Sequence, residues 1–164
     1  MSEPQRQRTH QWHPPMAGLE AARECTGLEY LQGMMEGRFP PPPIAMTLGF
    51  TLAEVAHGRA VFECVPQEFH YNPIGTVHGG LACTLLDSAM ACSVHSTLPA
   101  GGAYTTLELK VNLVRPISHE TGLLRAEGRL IHGGRRSATA EGRILDAAGK
   151  LYAHGTTTCM ILGS

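Results

Sequence analysis

Residues 81–96 are apolar or small nearly all round, and Asp87 is their one charged side chain apart from the titratable His95. A helix with no polar face is buried rather than laid on a surface. Its Ala, Ser, Cys and Gly content lets neighbouring backbone approach closely, as in a central helix wrapped by strands. An ionised carboxylate placed there loses hydration that donors or local water must replace. Asp87 is therefore either tied into structural hydrogen bonds or kept for chemistry.

The flanking sequence supplies the wrapping. Residues 104–114, 123–131, 136–145 and 151–161 carry β-type patterns, broken by turn residues at 116–122, 133–134 and 146–149. Upstream, residues 47–56 and 59–65 flank His57-Gly58 and read as a hairpin. Further back, Leu19, Ala22, Cys25, Leu28, Leu31 and Met35 recur at mostly three- and four-residue intervals. That spacing predicts one amphipathic helix over residues 18–35. The four prolines at 40–43 lack N–H groups and predict a stiff extended connector. Helix, hairpin, buried helix and a four-stranded meander make an α+β domain in which one antiparallel sheet covers one long helix. The expected division is 1–43 for the tail, extra N-terminal helix and connector, and 44–164 for the main domain.

Length and composition narrow the function classes. A chain of 164 residues fits one domain, and 43% hydrophobic with 16% charged residues describes a folded, soluble protein. A net charge of −1 gives no global reason to bind nucleic acid or an anionic membrane, so any anionic ligand is held locally. Cys25, Cys64, Cys83, Cys92 and Cys159 are odd in number and free of any CxxC pair. They read as small buried hydrophobes in a reducing compartment, not as a disulfide framework or zinc site. The first residues lack an apolar core of signal-peptide length, and no uninterrupted apolar run of about 18 residues occurs. The expectation is a cytoplasmic protein with a disordered tail around Arg6 and Arg8. The histidines show no HExxH or paired spacing, so no metal is expected.

The segment from Asn72 through Gly75 and His78 to Gly79-Gly80 leads a loop into the buried helix. The N–H groups of a helix's first turn have no partners within the helix, and glycines leave them approachable. A carbonyl oxygen that becomes negative finds donors and the positive end of the helix dipole there. Gly79 and Asp87 are eight residues apart, about 12 Å along the axis at ~1.5 Å per residue. One chain therefore cannot bring both to a single carbonyl. Two copies with antiparallel helices about a two-fold axis would set the amides of one beside the Asp87 of the other.

The pattern Asn72-x-x-Gly75-x-x-His78-Gly79-Gly80 with Asp87 seven positions on, then Thr105-Thr106-Leu-Glu-Leu-Lys-Val-Asn112 and Arg115-Pro116, resembles the phenylacetic-acid-degradation thioesterases of the hotdog fold. The resemblance covers roughly residues 46–161. It implies a hotdog fold, homodimers often paired into tetramers, and hydrolysis of acyl-coenzyme A without a cofactor, coenzyme A being part of the substrate. It also implies Asp87 as nucleophile or general base, and the Gly79 amide as oxyanion donor. Asn72 and His78 match loop positions that orient the thioester or the attacking water. Thr106, or alternatively Thr105, matches a hydroxyl that helps hold that water. Gly80 and Thr105 are further substrate-binding candidates. Arg135 and Arg136, at a strand turn, are candidates to meet coenzyme A phosphates.

Blander roles compete for the same residues. Asn72 can cap a turn, His78 can satisfy local backbone, the glycines can serve packing, and the arginines can be solvated turn charges. A non-catalytic hotdog module that binds acyl-coenzyme A is the competing function.

Overall fold

The computed structural model describes residues 4–162; residues 1–3 and 163–164 lie outside the described residues. The elements are α1 (Met16–Glu24), α2 (Gly27–Met35), α3 (Pro43–Leu48), β1 (Phe50–Ala56), β2 (Arg59–Cys64), α4 (Gly79–His95), β3 (Ala103–Leu113), β4 (Leu124–Gly133), β5 (Ser137–Asp146) and β6 (Leu151–Leu162). Short 3-10 turns occupy Glu68–His70 and His119–Thr121. This is the hotdog arrangement: a six-stranded antiparallel sheet curls around α4. Leu85, Leu86, Ala89, Met90 and Val94 on α4 are fully covered. A Cβ added at Gly128 of β4 would lie 2.2 Å from the Ala89 carbonyl oxygen, so only glycine permits so close a crossing of strand and helix.

The outer face of the sheet is charged. Glu54, Arg59, Glu63, Arg125, Glu127 and Arg129 pair with one another across β1, β2 and β4. Such half-exposed pairs contribute little to stability, but they identify the solvent side and leave the concave side for the core.

Three expectations need correction. The single helix over 18–35 is two helices, because Thr26 starts a second one. Its hydroxyl accepts from the Glu29 N–H at 3.3 Å and its own N–H donates to the Glu29 carboxylate at 2.9 Å. This reciprocal cap is written in the sequence as Thr-x-x-Glu and outweighs the apolar period. Next, Pro43 opens α3, where a missing N–H costs nothing, and Gly49 at φ 71° closes it. The first strand therefore begins at Phe50, and Thr47 and Leu48 are helical. Finally, the last four strands are not a meander. The sheet order is β1-β2-β4-β5-β6-β3, so only β4, β5 and β6 follow in turn. The long α4 carries the chain to the far edge, β3 pairs antiparallel with β6, and the chain returns to place β4 beside β2.

The stretch expected to be disordered lies against the domain. Arg6 pairs with Glu68 at 2.5 Å, while Arg8 donates to the Thr47 carbonyl at 2.8 Å and sits over the Phe69 ring. Among the described residues no helix is long and apolar enough to cross a membrane, and no cluster of His, Cys, Asp and Glu could hold a metal.

Candidate active site

The hydroxyl of Thr106 donates to Asp87 Oδ1 at 3.0 Å. An irregularity in β3 sets up this contact. Thr106 opposes Cys159 and Glu108 opposes Thr158, so Leu107 has no partner on β6. The bulge reverses which residues face α4. Before it Tyr104 and Thr106 point inward, and after it Leu109 and Val111 do. Bulges beside sites commonly re-aim one side chain in this way. Thr105 is exposed on the other face, so of the two candidate hydroxyls the structure brings only Thr106 to Asp87.

Asp87 and Thr106 line a cavity of about 420 Å³. Asp87 is the only charged residue in its lining. One wall is α4 with Ser88, Ala91 and Cys92; the opposite wall comes from Phe50, Leu52 and Phe62. Met34, Met35, Pro41 and Pro42 close it from the N-terminal side. No spacing in the sequence pointed to these last residues as part of a site. Burial pushes the Cys92 thiol up to about 12. That thiol stays protonated and is not a thiolate nucleophile.

The other end of α4 is built differently. His78 precedes the helix with φ −62° and ψ 134°, and its Nδ1 accepts the Gly80 N–H at 2.8 Å. That uses the Gly80 amide and leaves Gly79 as the first helical N–H; among the described residues it has no hydrogen-bond partner. Asn72 is committed to its own loop. Its Oδ1 accepts from the N–H groups of Ile74 at 3.0 Å and Thr76 at 3.2 Å, and its Nδ2 donates to the Thr76 hydroxyl at 2.9 Å. Asn72, His78 and Gly79 border a second cavity of about 260 Å³ with Leu113 and Arg115. Asp87 does not line this one.

Within one chain, then, the predicted residues fall into two groups, Asp87 with Thr106 and Gly79 with His78, Gly80 and Asn72. Between them α4 leaves Gly80, Cys83, Thr84, Asp87 and Ser88 only half covered by its own sheet. Arg135 and Arg136 join neither group. They are exposed in the β4–β5 turn. The row Thr106, Cys159, Ala138, Gly133 puts that turn three strands from Thr106, about 14 Å at ~4.8 Å per strand.

A family model described as the thioesterase superfamily matches residues 74–153. The human acyl-coenzyme A thioesterase 13 is 29% identical over 108 residues, covering 66% of this chain and 76% of that protein. The 1,4-dihydroxy-2-naphthoyl-CoA hydrolase of Listeria monocytogenes is 28% identical over 105 residues, 64% of this chain and 84% of that protein. Among solved structures, a phenylacetic acid degradation-related protein of Ralstonia eutropha is 35% identical. It covers 80% of this chain and 98% of its own, with a TM-score of 0.72.

Proposed function

The chain belongs to the thioesterase superfamily and is a thioester hydrolase, and we propose that it cleaves acyl-coenzyme A thioesters of small aromatic or medium-chain acids through Asp87. The observation that carries this reading is the lone carboxylate in the wall of an apolar cavity, oriented by the Thr106 hydroxyl. The relatives named for acyl-coenzyme A and naphthoyl-CoA hydrolysis support the coenzyme A thioester as substrate class.

In this mechanism two copies of the chain share each site. The Gly79 N–H of one copy hydrogen-bonds the thioester oxygen, and the Asp87 of the other acts on the carbonyl carbon. The half-covered stripe of small residues on α4 supports the pairing, because a second helix can lie along it. So does β3, an edge strand of 11 residues with Leu107 and Leu113 exposed. An edge that long offers a row of unpaired backbone groups to another chain.

Two routes use the same contacts. As nucleophile, an Asp87 oxygen adds to the carbonyl carbon, the carbon–sulfur bond breaks, and the thiolate leaves; water then hydrolyses the mixed anhydride and restores the carboxylate. As general base, Asp87 takes a proton from the water that adds, then returns it to the departing sulfur. In both, Thr106 holds Oδ1 and leaves Oδ2 for the reaction. His78 acts indirectly, by engaging Gly80 and fixing the first turn that presents Gly79.

The test is thiol release from a coenzyme A thioester panel by the wild type and by Asp87→Ala. Loss of turnover in a folded variant supports the reading, and equal turnover ends it. Single turnover in oxygen-18 water then separates the routes, since label entering Asp87 requires the anhydride.

A further inference from the structure

The N-terminal segment reaches the Asp87 cavity although it lies wholly before the family-matched residues 74–153. Its position there is fixed at several points. The Gly27 N–H donates to the Leu98 carbonyl at 3.0 Å, and a Cβ on Gly27 would lie 1.7 Å from the His95 carbonyl oxygen. The start of α2 is thus pressed directly onto the end of α4. The Tyr30 ring meets His95 at 5.8 Å and stacks on Phe39 at 5.4 Å, which pins the chain as it leaves α2. From this anchored helix Met34 and Met35, followed by Pro41 and Pro42, add a further side to the cavity.

We propose that α2 and the proline connector form the acyl-selecting wall of the site, so that Met34 and Met35, together with Ala91 of α4, set the length of the acyl group. This rests on the thioesterase reading of Asp87 and adds to it the residues that select the acyl group. Most of the lining other than Asp87 is apolar, so an occupant with its carbonyl at Asp87 and Thr106 lies in largely hydrocarbon surroundings. At roughly 30 Å³ per non-hydrogen atom, the share of a water in the liquid, about 420 Å³ takes on the order of ten such atoms with space to spare. The occupant is therefore an uncharged apolar acyl group of about that size, aliphatic or aryl. Unbranched methionines adjust to its shape, while the prolines stiffen the chain beside them.

Two substitutions push the cavity in opposite directions. Ala91→Leu fills it from α4, and Met34→Ala enlarges it from a half-buried position on α2. The panel comprises butanoyl-, phenylacetyl-, decanoyl- and tetradecanoyl-coenzyme A, and it distinguishes the aryl from the aliphatic source. With roughly tenfold discrimination for a displaced methylene, Ala91→Leu lowers kcat/KM for decanoyl about tenfold or more and leaves butanoyl within about twofold. Met34→Ala raises tetradecanoyl relative to butanoyl several-fold by the same reasoning. A purely structural role would lower all substrates alike. An unchanged panel profile in both folded variants overturns the proposal.

If the wild type hydrolyses none of the panel, the thioesterase reading of Asp87 fails and the wall is judged by binding. Calorimetry with the inert thioether S-decyl-coenzyme A then decides. Binding weakened about tenfold by Ala91→Leu supports the wall. Equal binding by both proteins, or none by the wild type, overturns it.

Discussion

At its N-terminus α4 offers the Gly79 amide to a shallow cavity whose lining holds no acidic residue. Two turns along the same helix, Asp87 faces an apolar cavity that the N-terminus of α4 does not reach. The first end is polar, bordered by the Asn72 loop and Arg115; the second is sheltered by methionines and prolines. A thioester needs both, an oxygen held by a donor and a carbon reached by a carboxylate. The helix keeps them about 12 Å apart at ~1.5 Å per residue. On the proposed mechanism the contrast is between two halves of a site carried by one chain, each fitted to a different part of the substrate.

The largest expected effect comes from removing the sheltered half. Asp87→Asn keeps shape and the Thr106 contact but loses the charge. It should lower kcat about 10³-fold, within the ~10²–10⁴ range for positioned acid–base groups. A circular dichroism spectrum like the wild type's shows that the fold is intact. A drop of less than about tenfold would leave the carboxylate end with no chemical part, and the contrast between the ends would be only one of packing.

The polar half has a cleaner probe. Gly79 is the first helical residue, a position where proline is tolerated, and His78 before it already has the extended backbone that a following proline requires. Gly79→Pro therefore deletes one N–H and little else, apart from displacing the Leu113 side chain. The expected loss is about 10²–10³ in kcat, as for an oxyanion donor elsewhere. Mixing the two inactive proteins then tests how the halves meet. Random dimers are about half mixed, and each mixed dimer holds one whole site of two, so about a quarter of the wild-type activity should return. No recovery after co-refolding would place both halves in a single chain.

How much of this was readable in the sequence depends on whether the information is local. The buried helix, the hairpin and the four later strands follow period and turn chemistry, which act within a few residues; each was recognisable to within about three residues. The Thr26 cap is equally local and decides the structure, but an apolar period running through it hides it from a reading by period alone. The placement of β3 beside β6 could not be read, because it depends on where α4 delivers the chain. Asp87 stood out because a charge in an apolar helix is anomalous in one dimension. The Thr106 contact needed the Leu107 bulge to be known, and the Met34 and Pro41 wall needed tertiary packing. Asn72 and His78 were found by pattern, but the structure shows them bonded to their own loop and helix, the local role weighed for each.

A smaller effect distinguishes orientation from chemistry at the carboxylate end. Thr106→Val removes a hydroxyl of similar volume and one hydrogen bond to a charged oxygen. About tenfold in kcat is expected, in line with the ~1.5 kcal/mol lower bound for such bonds, with KM nearly unchanged. Thr105→Val, on the exposed face, should leave both constants alone. Equal losses from the two would mean that the bulge does not select Thr106.

The smallest effect compares the supports of the two ends. His70 underlies the amide end: its carbonyl accepts the His78 N–H at 2.8 Å, and its ring is bonded at both nitrogens. Nδ1 accepts from the Gln67 N–H at 3.0 Å, so Nε2 carries the proton and donates to the Leu48 carbonyl at 2.8 Å. His95 underlies the wall at the other end, between Tyr30 of α2 and Tyr104 of β3. Burial holds both rings below the usual imidazole value of 6.5. The unfolded chain then takes up protons first as the pH falls below about 6.5, so stability declines from there down to the lowered folded values and is unaffected above. The lowered carboxyls of Glu54 and Glu127 act in a separate window, beginning near their ordinary 4.5. On moving from pH 7.5 to 5.5, hydrogen exchange corrected for its slower intrinsic rate at the lower pH should rise in residues 67–80 through His70 and in residues 27–39 through His95. His95→Phe retains an aromatic ring for the stack and cannot take up a proton. It should abolish the second rise and leave the first, whereas loss of both or neither would show that the two ends open as one unit.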